Sequence, residues 1–333
     1  MTESGLQVAI VGAGLMGRFH ADAAARSGAR VVAVVDPRPE RARGLAAAAG
    51  AVTAESLADL GPGRSIDVVH ICTPLAEHSP IAAQALELGA HLVVEKPLTP
   101  DAATTAALLS AATDRGSLVV PVHQFLFQPG IQRLLAEGER FGSLVRCVFE
   151  AHTAGAELTG VDPDELVADV LPHPLALFAR LTTVALSDLD WLVMRPEPGE
   201  LRGLADADGT TLEIVISTHA RPARTALDLV GSEASAHADL YHGFATVERG
   251  SGTGLGKVIR PFSVASATFG RAGINLTRRA LTREVGYPGL RELVRRTYEA
   301  IATRSAAPIS VHETMEVALA RDAILSTTAA ARM

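Results

Sequence analysis

Cysteine is nearly absent: Cys72 and Cys147 are the only two in 333 residues, both in apolar surroundings and neither in a CxxC pair. That excludes a disulfide framework and a cysteine-rich metal site. No metal is expected, and two buried thiols of a cytoplasmic protein are the plain reading. Aromatic residues are scarce at 4%, with Trp191 the sole tryptophan, so no stacking platform for a sugar ring stands out. No run of about 18 apolar residues is present to span a bilayer. Met1-Thr2-Glu3-Ser4-Gly5 has neither the basic region nor the apolar core of an export signal. Lys and Arg number 30 against 37 Asp and Glu, a formal net charge of −7 without a basic cluster. Nucleic acid and anionic membranes are therefore poor partners on overall charge.

What is present is a two-domain pattern, for which 333 residues suffice. Short apolar, β-branched runs at 7–11, 30–35, 68–72, 91–95 and 118–122 alternate with helical stretches at 15–27, 39–49, 80–88 and 102–115. This alternation predicts a parallel sheet covered on both faces. Thr99-Pro100-Asp101 reads as a helix start with Thr as the cap. Beyond residue 122 the rhythm changes. A helix at 129–138 precedes strands at 144–154, 190–194, 211–218, 226–230 and 235–248, an α+β pattern with a largely antiparallel sheet. Residues 250–256 read as a Gly-rich connector, 290–303 as a helix, and Ser310-Val311-His312-Glu313 as a capping box that opens a final helix. The expected fold class is α/β: a doubly wound dinucleotide-binding domain over 1–122 and an α+β domain over 123–333, with the final helix packing back on the first.

Gly12-Ala13-Gly14-Leu15-Met16-Gly17 is G-x-G-x-x-G, placed between a strand and a helix in the chain's first βαβ unit. In that context Gly12 permits the turn, Gly14 lets backbone approach a pyrophosphate, and Gly17 lets helix and strand pack closely. The helix N-terminus offers its amides to the phosphates. Asp36 ends the second strand, nineteen residues past Gly17. A carboxylate there suits ribose hydroxyls and repels a 2′-phosphate, so NAD is favoured. Arg38 can pair with such a phosphate and would admit NADP.

Further motifs occur in order: "GAGLMGRFH" from Gly12 to His20; Ile71-Cys72-Thr73-Pro74 with His78; Glu95-Lys96-Pro97; His123-Gln124-Phe125; Phe141-Gly142-Ser143-Leu144-Val145; and Asp169-Val170-Leu171-Pro172-His173. Together they resemble the glucose–fructose oxidoreductase/inositol dehydrogenase (Gfo/Idh/MocA) family over nearly the whole chain. The resemblance implies a nicotinamide-dependent oxidoreductase of sugars, cyclitols or related polyols, assembled as a homodimer or homotetramer. It implies that Thr73, Pro74 and His78 lie near the nicotinamide end with Glu95 close by, that Lys96 is the catalytic lysine, and that Asp169 and His173 are the acid and histidine pair. His123 and Gln124 are candidates to line the cleft; ordinary packing or surface placement is the favoured reading for Tyr241. Arg221, Arg224 and Arg260 are anchor candidates only because they are basic.

The residue chemistry agrees. Oxidising an alcohol requires hydride transfer to the nicotinamide and removal of the hydroxyl proton. A neutral His173 can take that proton, Asp169 can orient its ring, and Lys96 can stabilise alkoxide character. Two departures stand against the pattern. Pro172 and Pro174 flank His173, which starts a helix near Pro172 and leaves Asp169 ahead of it. Ala176 occupies a position where many family members carry Asp. Two alternatives stay open on the same scaffold: a redox-neutral lyase, epimerase or glycoside-cleaving enzyme that uses NAD transiently, and a non-enzymatic NAD or sugar sensor.

Overall fold

Apolar runs too short for helices, each stopped by Gly, Asp or Pro, become strands buried on both faces. The computed structural model describes residues 5–61, 65–153, 160–250, 254–284 and 286–330. It divides into two units: Met1–His123 with Leu290–Ala318, and Gln124–Gly289 with Leu319–Met333. Met1 to Ser4 lie outside the described residues.

In the first unit, β1 (Gln7–Val11), α1 (Leu15–Arg26), β2 (Arg30–Val35), α2 (Pro39–Ala49), β3 (Val52–Ala54), β4 (Val68–Ile71), α3 (His78–Glu87), β5 (His91–Val94), α4 (Ala102–Asp114) and β6 (Val119–Pro121) follow one another. The six strands are ordered β3-β2-β1-β4-β5-β6, and every pair is parallel. This is the dinucleotide-binding order 3-2-1-4-5-6. Because all strands run the same way, the residues after β1, β2, β4 and β5 share one edge of the sheet. The edge strand β3 was not expected, since "VTA" is too short and too exposed to show as an apolar run. At the start of α4, the cap is Asp101, whose carboxylate accepts the Thr104 N–H at 2.7 Å. The expected cap, Thr99, instead donates its hydroxyl to the Asp101 carbonyl.

The second unit opens with α5 (Pro129–Ala136) and β7 (Leu144–His152); residue 154, expected in this strand, lies outside the described residues. Next come α6 (Pro163–Val170) and α7 (Pro172–Leu181), then β8 (Leu192–Met194), β9 (Glu200–Ala207), β10 (Thr210–Ser217), β11 (Arg224–Gly231), β12 (Ala234–Asp239) and β13 (Phe244–Arg249). The seven strands are ordered β13-β12-β11-β7-β10-β9-β8. All pairs are antiparallel except β10 with β7. Buried and half-buried residues alternate along β12, which leaves one face of this sheet lightly covered. Three expectations need correction. The single strand over 235–248 is two strands joined by a turn at 240–243. β9 was missed because its polar residues Arg202, Asp206 and Glu200 broke the apolar run. The Gly-rich connector gives way at Gly254 to a long helix, α8 (Gly254–Thr282), while residues 251–253 lie outside the described residues.

The chain closes with α9 (Leu290–Thr303) and α10 (Val311–Ala330). α9 packs against α1 in the first unit. Residues of α10 up to Ala318 group with the first unit, and those from Leu319 with the second. The capping box is formed: Glu313 N–H donates to Ser310 Oγ (3.1 Å) and Ser310 N–H to Glu313 Oε2 (2.8 Å). Met315 of α10 packs on the core cluster built from β1, β4 and β5.

Phe149 sits on the central strand of the second sheet and is fully buried. Phe149→Ala should lower the unfolding free energy of the second unit by about 3–5 kcal/mol. Urea denaturation checks this, and a loss under about 1 kcal/mol would contradict the burial.

Candidate active site

The turn after β1 is built from close backbone approaches. Gly12 has φ +94° and donates its N–H to the Val35 carbonyl at 2.8 Å. A Cβ on Gly12 would sit 2.6 Å from the Cys72 carbonyl oxygen, and one on Gly17 would sit 1.9 Å from the Gly12 carbonyl oxygen. Gly14 is different: no described atom lies within 4 Å of where its Cβ would be. This open space meets the N-terminus of α1, which Gly14 precedes without any side chain to cap it. Ala13 and Gly17 are buried, Met16 is half-buried, and Leu15 is exposed. Amides and positive dipole are thus left for an anion.

Asp36 is buried at the end of β2. Its Oδ2 accepts the Ala13 N–H and its Oδ1 the Arg38 N–H, each at 2.9 Å. The carboxylate therefore braces the glycine turn and retains lone pairs for hydroxyl donors. The exposed Arg38 guanidinium stands 3.6 Å from it.

After β4, Thr73 is half-buried and its Oγ1 has no hydrogen-bond partner among the described residues. Pro74 is exposed. His78 is fully occupied with backbone: Nε2 lies 2.9 Å from the Thr73 carbonyl and Nδ1 2.9 Å from the Pro97 carbonyl. It fastens the loop after β4 to the loop after β5. Both ring nitrogens thus lie within hydrogen-bond distance of backbone carbonyls.

After β5 come Glu95, buried, and Lys96, half-buried, with a cis peptide to Pro97. Glu95 anchors a buried network in which His20, His70 and Tyr298 were given no role from the sequence. Its Oε2 accepts the Lys96 N–H at 3.2 Å, and its Oε1 lies 3.0 Å from His20 Nε2. His20 Nδ1 is 2.8 Å from His70 Nδ1, and His70 Nε2 is 2.7 Å from the Tyr298 hydroxyl. An ionised carboxylate only accepts. His20 Nε2–H therefore donates to Glu95, and the line runs on through His70 to the Tyr298 hydroxyl. Burial opposes charge on Glu95, but the His20 hydrogen bond and the charges of His20 and Lys96 outweigh it and leave the carboxyl below its ordinary range. Burial, helped by His20, pushes His70 well below its usual value. Burial also raises Tyr298 and, together with Glu95, Cys72. The signal available was His20 inside the glycine motif and His70 inside an otherwise apolar strand: polar residues at core positions need partners.

In the second unit, Gln124 is buried, and its Oε1 has no partner among the described residues. His173 is buried at the start of α7, its ring centroid 4.4 Å from that of Phe125. α7 starts at Pro172 with Asp169 ahead of it, as expected; what the sequence did not show is that Asp169, half-buried, sits in the last turn of another helix, α6. Leu171, between the helices, has helical dihedrals (φ −50°, ψ −38°), so the turn continues through the junction. Helical spacing then sets Asp169 and His173 on one face. Pro172 has no N–H for the Ala168 carbonyl, which accepts Arg321 Nε at 3.3 Å instead. The proline's cost is thereby offset. His123 is buried in the first unit, and Tyr241 is exposed. Away from these residues, Glu197, Glu200 and His219 bring three potential ligand atoms within 4.8 Å of one another. Glu200 is already held there by Arg202 and Ser217, and His219 by the Pro198 carbonyl.

The order of the first sheet, the open space at Gly14, the uncapped α1 and the braced Asp36 define a dinucleotide-binding Rossmann unit. Residues 6–123 match the model of an oxidoreductase family with an NAD-binding Rossmann fold, Gfo/Idh/MocA. Inositol 2-dehydrogenase 4 of Saccharopolyspora erythraea is 38% identical over 125 residues, 37% of this chain and 37% of that protein. UDP-N-acetylglucosamine 3-dehydrogenase of Acidithiobacillus ferrooxidans is 30% identical over 177 residues, 53% of this chain and 54% of that one. The matched stretches span about a third to a half of these relatives' lengths. The crystal structure of the WlbA dehydrogenase from Bordetella pertussis in complex with NADH and UDP-GlcNAcA has the same fold, with a TM-score of 0.78 at 17% identity over 99% of this chain and 97% of that one.

The network has a pH signature. Below its ordinary value of 6.5, His70 takes a proton in the unfolded chain but stays neutral when buried. The unfolded state then binds more protons, and stability falls as pH drops from about 7 to 5, by at most about 1.4 kcal/mol per pH unit for one group. His91, lowered by burial against the pull of Asp67, adds a second such slope. His70→Gln should be less stable at pH 7 yet lose part of this slope. Denaturant unfolding at each pH checks it, and an unchanged slope would contradict a neutral buried His70.

Proposed function

We propose that this chain is an NAD-dependent oxidoreductase that moves a hydride between nicotinamide and a hydroxyl or carbonyl carbon of a sugar-like or cyclitol molecule. The observation that carries the proposal is the open space at Gly14 beside the uncapped end of α1, with a buried carboxylate in the same turn. A pyrophosphate is the group such a turn is shaped for. Asp36 favours ribose hydroxyls over a 2′-phosphate, which supports NAD; Arg38, exposed beside it, is the feature that would tolerate NADP. The substrate class is supported by relatives named for inositol and for a UDP-sugar.

When bound, NAD supplies the hydride acceptor. The chain's own residues do the rest. Lys96, at the carboxyl end of β5, donates a hydrogen bond to the reacting oxygen and stabilises its developing negative charge. The buried network through Glu95, His20, His70 and Tyr298 holds the backbone beside it. In the second unit His173 takes the hydroxyl proton in oxidation and returns it in reduction, with Asp169 one helical turn away to hold the charged ring. Thr73 Oγ1 and Gln124 Oε1, buried without partners among the described residues, supply further polar contacts for bound molecules.

Lys96→Ala should cut turnover by about a hundredfold or more while NADH affinity changes little. A sugar and cyclitol panel followed by NADH absorbance measures it. Unchanged turnover would reject the lysine's role. NADH released in step with product would exclude a redox-neutral reaction.

A further inference from the structure

β4 is buried along its whole length, and Val68, Val69 and Ile71 are what such a strand calls for. His70 is the exception. A buried polar ring costs stability unless its nitrogens are hydrogen-bonded, and an apolar side chain in its place would need no partner. Both nitrogens are engaged, but only by side chains brought from elsewhere in the chain. α9 packs on α1, and from α9 the Tyr298 hydroxyl comes within 2.7 Å of His70 Nε2. His20, on α1, places Nδ1 2.8 Å from His70 Nδ1 and Nε2 3.0 Å from Glu95 Oε1. The rings stand edge to face, at 86° between His20 and His70 and 68° between His70 and Tyr298. Three elements and the residue after β5 therefore meet in one line.

The line ends on the backbone of Lys96. Glu95 has one carboxylate oxygen on His20 and the other on the Lys96 N–H at 3.2 Å. On the far side of Lys96, the Pro97 carbonyl lies 2.9 Å from His78 Nδ1. The backbone that carries the ammonium is thus tied before and after. The line also keeps its shape whichever way its protons lie. Burial keeps His70 neutral. A neutral His20 accepts from His70 at Nδ1 and leaves Tyr298 to donate; a protonated His20 donates there and leaves Tyr298 to accept. Every contact survives in both cases. Such hydrogen bonds add little net stability, whereas a catalytic group has to be held to within about 0.5 Å by its surroundings. We propose that Tyr298, acting through His70, His20 and Glu95, is a positioning residue for Lys96, holding from α9 the carboxylate that ties the Lys96 peptide. The proposal rests on the role given to Lys96 above.

Tyr298→Phe removes one oxygen and keeps the ring. On the substrate that the sugar and cyclitol panel identifies, kcat should fall by about tenfold, with KM and the calorimetric NADH affinity little changed. Proton NMR gives a readout free of turnover: the contact between His20 and His70 should show an imidazole N–H downfield of the backbone amides, shifted or lost in Tyr298→Phe. Ala300→Gly, buried on the same helix, is the control. It should lower stability through helix propensity and leave kcat and that resonance in place. Tyr298→Phe with His70→Val should lose no more than the worse of the two alone, because both cut one line. Unchanged kcat in Tyr298→Phe, an equal fall in Ala300→Gly, or fully additive losses in the double variant overturns the proposal. So does a downfield resonance that is absent from wild type or unmoved by Tyr298→Phe. Unchanged turnover in Lys96→Ala removes the reading beneath it, whereas a loss in Lys96→Ala without one in Tyr298→Phe removes this inference alone.

Discussion

After β1 the chain crosses itself with no room for a side chain. The Gly12 carbonyl lies where a Gly17 Cβ would be, and the Cys72 carbonyl crowds the Gly12 position in the same way. These contacts fix how α1 leaves the sheet and bring the start of β4's loop against the end of β1. Asp36 then ties the next strand into the turn through the Ala13 amide. At Gly14 the crowding stops, and the bare helix end faces open space. A binding cradle and a packing constraint are thus built from the same six residues.

The sequence was most informative where one residue type alone satisfies the backbone. The glycine motif, the acid after β2 and the capping box at Ser310 all stand where composition placed them. It was least informative where the deciding contact is distant in the chain. Nothing local to Asp169 revealed that Leu171 keeps helical dihedrals across Pro172, or that Arg321, about 150 residues on, takes the orphaned Ala168 carbonyl. The His20–His70–Tyr298 line was hidden for the same reason, since its last two members are 228 residues apart. α8 was concealed differently. Glycines at 250, 252, 254 and 256 suggested a connector, although the three-and-four spacing of apolar residues that follows is helical.

Charge is organised at two scales. In the first unit it is buried, with a carboxylate, two imidazoles and a phenol joined in one hydrogen-bonded line. Such a network is costly to leave half-formed. In the second unit α8 carries five cations and no acid, although the chain as a whole is acidic. A whole-chain charge describes neither arrangement.

The central claim is that the space at Gly14 receives a dinucleotide, and filling that space tests it most directly. Gly14 has φ −74°, which other residues adopt without strain, so Gly14→Val should fold. Calorimetric titration should show NADH binding to the wild-type protein and binding at least about a hundredfold weaker, about 2.7 kcal/mol, to Gly14→Val. Equal affinity in the two proteins, or no binding by wild type, would contradict the account.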